Sequence, residues 1–178
     1  MPRLTHFLVP TVLLVLGATS AYAKLAAQGG SVEFTAVGPG GLKIAGKSTD
    51  VSASDDGANV VITVPLAKLD TGIGLRNSHM RDKYLETGKY PNAVLTVPKA
   101  QLALANGGSG DATGTLALHG KQKLVKVHYT AKKEGADFVV TGTTRVDMTE
   151  FGIEQPSFAG ATVKPAVDVA VAFRAKDQ

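Results

Sequence analysis

Apolar and polar residues alternate with a period of two along most of the chain. Val32 and Phe34 alternate with Ser31, Glu33 and Thr35 and stop at Gly38-Pro39-Gly40-Gly41. Leu42 and Ile44 open a second run that extends toward Val51. Asp55-Asp56-Gly57 marks a turn, because Asp and Gly tolerate the positive φ of a tight hairpin. Val60, Ile62 and Val64 alternate up to Pro65, and Val94 to Leu104 is a further extended stretch, broken by Asn106-Gly107-Gly108. Leu116 and Leu118 lead to a turn around Gly120. Val125, Val127 and Tyr129 share a face opposite Leu124, Lys126 and His128, and Glu134-Gly135 reverses the chain. Phe138 to Met148 runs back, and Val163, Val167, Val169, Val171 and Phe173 complete the last strand. This period predicts about eight strands, each with one face inward. Neighbouring strands leave no room for crossover helices, so the fold is expected to be all-β and antiparallel. Two solutions are open, a two-sheet sandwich or a closed barrel whose interior is filled by side chains or holds one small ligand.

One segment departs from this period. In Leu75–Glu86, Leu75/His79 and Met80/Tyr84 are spaced i, i+4, Asp82/Glu86 share another face, and Thr87-Gly88 would stop a helix. A short helix between strands is expected, presenting Met80, Tyr84 and Leu85 to the core. It would plug a barrel end or cover a cavity.

Composition adds an address. Arg3, the apolar run from Phe7 to Leu16 and Ala21-Tyr22-Ala23 read as a cleavable export signal, 1–23, ahead of a single domain, 24–178. The apolar run is about half the roughly 20 residues that a membrane span needs. A periplasmic or extracellular location is expected. The chain has no cysteine, so disulfides and thiolate metal sites are excluded. The charge is +4 overall, and loss of Arg3 leaves +3 on the domain. That balance suits solubility or transient contact with an anionic membrane surface. No basic cluster with interleaved aromatics is present, so nucleic acid is not an expected partner.

The sequence offers little for catalysis. It has no G-x-S-x-G elbow, and Asp55-Asp56 read as turn residues. His79, His119 and His128 follow no metal-ligand spacing. His119 and His128 read as exposed, whereas His79 beside Met80 is worth attention. No enzyme activity, catalytic residue, metal or cofactor is expected.

Leu69-Asp70-Thr71-Gly72-Ile73-Gly74-Leu75-Arg76-Asn77-Ser78-His79-Met80-Arg81-Asp82-Lys83-Tyr84-Leu85, followed by Tyr90-Pro91, resembles the signature stretch of the YceI-like family. Gly114 to Gly120 is similar to that family's G-x-L-T-L-H-G hairpin, Phe151-Gly152-Ile153 to its F/Y-G-I segment, and Val163 to Phe173 to its closing strand. Asn77 stands where the family usually has Asp. The resemblance implies an eight-stranded antiparallel lipocalin-like barrel with a short helical element near one end. It further implies an exported bacterial protein whose apolar cavity holds a polyisoprenoid or another long-chain lipid, without enzymatic activity.

The candidate ligand-binding residues are Leu75, Arg76, His79, Met80, Tyr84, Leu85 and Tyr90, with Phe151 and Phe158 as a facing wall. A cavity mouth needs apolar cover and a few polar groups to orient a head group. Arg76 is the first candidate for an oxygen-bearing head group and His79 the second; an ion pair of Arg76 with Asp70 or Asp82 is the structural alternative. A carrier or store for an amphiphile is the leading function. A filled barrel serving as an interaction module and an enzyme using His79 on a lipid are the alternatives. Oligomeric state is open, a homodimer included.

Overall fold

The computed structural model describes residues 26–103, 107–135, 137–158 and 160–176. The export signal therefore lies outside the described residues. So does Leu104, the end of one expected strand, and Asn106 in the break after it.

Strand β1 (Ala26–Val37) is followed by β2 (Lys43–Ser48), β3 (Ser52–Asp55) and β4 (Asn59–Pro65). A helical segment leads to β5 (Asn92–Pro98), β6 (Gly108–Leu118), β7 (Lys121–Glu134) and β8 (Asp137–Asp147). A long connection carrying the two-residue strands β9 (Ser157–Phe158) and β10 (Ala161–Thr162) precedes β11 (Ala166–Lys176). All pairings of the main sheet are antiparallel, in the order β11-β8-β7-β6-β5-β4-β3-β1-β2. The sheet closes because β1 also pairs with β11, from Ala26↔Lys176 to Ala36↔Val167. Strands β2 and β3 succeed one another along the same side of β1, at Val32–Val37 and at Ala26-Ala27. They fill one wall position between them, so nine strands make the eight-membered barrel that the resemblance implies.

Alternation places the expected residues inward. Val60 and Phe173 are buried, and Ile62, Val64, Val167, Val169 and Val171 are half-buried, while Asp168 and Ala170 between them are exposed. Several boundaries differ from the sequence reading: β2 ends at Ser48, short of Val51, and β5 ends at Pro98, where a 3-10 turn, Lys99–Gln101, interrupts the extended stretch expected from Val94 to Leu104. The last strand begins at Ala166, because Val163 belongs to the preceding connection, where its N–H bonds Pro156 and the next N–H bonds Val37. Strand β6 begins at Gly108, which reads in sequence as a breaker. Packing accounts for two of its glycines: a Cβ on Gly108 would stand 2.9 Å from the Ala103 carbonyl, and one on Gly114 2.8 Å from Leu95 and 2.9 Å from Val97.

The barrel wall is incomplete at one end. Strands β7 and β8 pair from Glu134↔Asp137 only as far as His128↔Thr143, although β7 pairs with β6 as far as Lys121. The Thr144 hydroxyl donates to the Lys126 carbonyl at 2.7 Å where the two strands part. A 3-10 turn, Met148–Phe151, sits beyond β8 and contributes Phe151, the most buried large side chain at 1% exposure. Phe151, Met148, Ile153 and Val163 form a core cluster against which Ile44, Tyr84, Leu85, Leu116 and Leu118 pack. At the opposite end Asp55, with a fully buried side chain, pairs with Lys99 at 2.5 Å and accepts from the Gly57 N–H at 2.7 Å. The apolar alternation does not announce that pair: Asp55 reads as a turn residue, and its inward parity follows from strand register.

Candidate ligand-binding site

The helical segment lies at the end plugged by Phe151. Helix α1 (Gly74–His79) runs into a π-helical turn, Met80–Tyr84, which shows in the bond from the Leu85 N–H to the Met80 carbonyl. No side chain caps its first residue; Asn77 ties the start instead. Its Nδ2 donates to Asp70 at 2.6 Å, and its Oδ1 accepts from the Thr71 N–H at 2.8 Å and the Thr71 hydroxyl at 2.6 Å. Asn can donate and accept at once, and a carboxylate cannot. The exposed Asp70 carboxyl is held below its usual range, chiefly by the Gly72 N–H and then by Asn77.

The helical segment ends at Tyr84, two residues before the expected end at Glu86, and Glu86 itself stands in the left-handed region with φ 45°. Before it, the wider π turn sets the outlook of each side chain. Met80 and Leu85 pack on the central core cluster of Val32, Val51, Leu66 and Leu69, and Tyr84 and Leu85 on the Phe151 cluster. These three face inward as expected. Leu75 is 70% exposed, so it supplies no cover to the interior. His79 is also exposed. Arg76 is half-buried and pairs with neither Asp70 nor Asp82; its Nη2 donates to the Thr71 carbonyl at 2.6 Å, and its buried Nε–H finds no acceptor among the described residues. Phe158 lies on β9, and its side chain is outside the described part of the structure.

His119 is the residue that sequence reasoning underrated. It was expected to be exposed, and its side chain is 12% exposed. With Gly120 it forms the two-residue turn between β6 and β7, both at positive φ, 50° and 72°. Such a turn matches strand twist and usually carries Asn-Gly. One ring nitrogen lies 2.8 Å from the Glu86 carboxylate and the other 3.2 Å from the Phe151 carbonyl. Tyr90 packs on the ring with centroids 4.6 Å apart, and the Lys89 ammonium stands 4.9 Å from the Tyr90 ring centre. The exposed ammonium is shifted upward by its hydrogen bond to Tyr90. Thus Glu86, Tyr90, His119 and Phe151 join three connections at one barrel end. The H-G dipeptide was visible in the sequence; its partners come from two distant segments, Glu86 with Tyr90 and Phe151.

Between the ends, Val60, Ile62, Val97, Val127, Tyr129 and Phe173 line part of an apolar cavity of about 40 Å³. That is a few times the roughly 10–15 Å³ that admits one water molecule, and far below the roughly 300–1,000 Å³ of a typical ligand pocket. A larger depression of about 670 Å³ involves Ser31, Glu33, Lys47 and Ala170. These exposed residues alternate with inward Val32 and Val171, so that depression lies on the outer wall. Among the described residues no three His, Asp or Glu side chains converge as metal ligands.

A closed antiparallel barrel with an apolar interior, a helical segment across one end and no assembled metal centre among its described residues defines the class. The chain belongs to the YceI-like domain family, which it matches over residues 24–175. It superimposes on a polyisoprenoid binding domain from Saccharophagus degradans, implicated in plant cell wall breakdown, with a TM-score of 0.73 and 20% identity over 88% of this chain and 99% of that one. BcnA of Burkholderia cenocepacia matches with a TM-score of 0.66 and 22% identity over 80% of this chain and 95% of that one. A UPF0312 protein of Pseudomonas savastanoi pv. phaseolicola is 28% identical over 63% of this chain and 61% of its own length. The matched stretch therefore spans less than two thirds of that relative.

Proposed function

We propose that this protein binds the apolar chain of a long amphiphile, of the isoprenoid class, inside its barrel and acts as a carrier or store in the cell envelope. The observation that carries the reading is the inward apolar lining, continuous from the Phe173 cluster through Met80 and Leu85 to the Phe151 plug. Each buried CH₂ contributes about 0.8 kcal/mol, so such a lining binds a chain without polar anchors. The binding property in the name of the Saccharophagus degradans domain supports the same class of ligand. A 40 Å³ cavity cannot hold that chain, so loading requires inward side chains to move. Met80 is suited to this, with three rotatable bonds and no branching. Arg76 is assigned to the head group, because its buried Nε–H has no acceptor among the described residues. The Ala21-Tyr22-Ala23 pattern supports export to the periplasm or beyond, with lipid exchange at a membrane surface.

Native mass spectrometry of protein purified from its own host tests the proposal. A co-purified long-chain mass that leaves on organic extraction is expected. An unliganded protein that also fails to bind added polyprenyl phosphate and polyprenol would overturn it.

A further inference from the structure

The two ring nitrogens of His119 face two acceptors, the Glu86 carboxylate at 2.8 Å and the Phe151 carbonyl at 3.2 Å. A ring with two protons donates to both. A ring with one proton donates to one and turns a lone pair on the other. Glu86 and His119 are also the two non-glycine residues at positive φ among the described residues. The side chains joined by this bond thus both stand on backbone positions that side chains rarely occupy, a sign of a conformation held for use. His119 meets the needs of its turn less well than Asn would, and supplies a ring that Asn lacks.

We propose that His119 is a proton-operated latch. The doubly protonated ring ties the Met80–Tyr90 segment to the β6–β7 hairpin and to the Phe151 connection, and loss of one proton frees the segment. Around the ring stand Glu86 from the helical segment, Tyr90 with Lys89 behind it, and Lys121, whose ammonium reaches Gly152 beside Phe151. Glu86 is the charged group in hydrogen-bond contact with the imidazole. Because Met80, Tyr84 and Leu85 are carried on the freed segment, its release uncovers the interior. That consequence rests on the binding function proposed above, while the latch itself does not.

Amide hydrogen exchange tests the latch without any ligand. The amides of Leu85, Thr87 and Tyr90 are bonded to the carbonyls of Met80, Arg81 and Glu86. In the full domain, after correction for intrinsic exchange, their opening should rise about tenfold or more from acidic to mildly basic pH, the weight of one charge-assisted hydrogen bond. The amides of Val60 and Phe173 should not follow. His119→Asn keeps the turn, and should open these amides at both pH values and abolish the dependence. Glu86→Gln is the second variant and should flatten the dependence if His119→Asn folds poorly. Equal opening of the wild type at the two pH values, or an unchanged dependence in a folded variant, would overturn the latch. A polyene fatty-acid probe is scored in parallel. Its release should quicken with opening; opening without quicker release overturns the gating role, and no binding at any pH sinks the ligand reading and leaves the latch to the amides.

Discussion

Replacing Lys99 by Met removes the ammonium that stands against a fully buried carboxylate. Asp55 has a fully buried side chain, Lys99 one that is 11% exposed, and the two meet at 2.5 Å where β3 and the turn after β5 close the far end of the barrel. Met preserves the length and most of the packing of the lysine stem, so the charge is the main change. Breaking one side of a buried pair costs about 3–5 kcal/mol, because the remaining ion is left without its partner. For a domain of this size each kcal/mol moves the melting midpoint by about 2–4 °C, so Lys99→Met should lower it by about 6–20 °C. The double variant Asp55→Asn/Lys99→Met should recover most of that loss. Asn retains an oxygen for the Gly57 N–H, and replacing a buried pair by neutral groups is often neutral or stabilising. Thermal melts of the wild type, the single and the double variant form the assay. A single variant within about 1 kcal/mol of wild type, or a double variant as unstable as the single, would refute the claim that loss of the Lys99 counter-charge sets the cost.

Gly46→Ala should destabilise by about 1–3 kcal/mol in chemical denaturation, since its Cβ would stand 2.4 Å from the Phe34 ring. Asn77→Ala should loosen the start of α1 and cost about 1–2 kcal/mol for the lost bonds to Asp70 and Thr71. The Asp70 carboxyl is held below its usual range, so its contribution is present above about pH 4 and disappears as the pH falls through its lowered value; in Asn77→Ala that acid limb of the stability profile should shrink. Met80→Ala should quicken release of a bound polyprenol, with a folding penalty of about 2–5 kcal/mol that a parallel melt measures. Arg76→Gln should weaken a polyprenyl phosphate more than a polyprenol of equal length, and equal losses would remove Arg76 from the site.

The strands were legible in the sequence because a two-sided wall writes a two-residue period into it. Val60, Ile62 and Val64, or Val167 to Phe173, declare their inward face without reference to any neighbour. The inward Met80, Tyr84 and Leu85 were legible for a related reason: they are the bulky apolar groups of the one segment with a different spacing. Leu75 was grouped with them and points outward, because at about 100° per residue it lies on the side of the helix opposite Tyr84. Strand β6 was half legible, since Gly108, which leaves room for the Ala103 carbonyl, looks in sequence like a glycine that breaks a strand. Residue types and local period thus determined an antiparallel β-fold, its inward faces and the helical segment near one end. Tertiary structure alone decided closure through β1 and β11, the burial of Asp55 against Lys99, and the meeting of Glu86, His119 and Phe151. Each of these joins side chains or strands far apart in the chain. A contact of that kind is set by register and by how much the barrel twists before it closes, quantities that belong to the whole sheet and to no single stretch of residues.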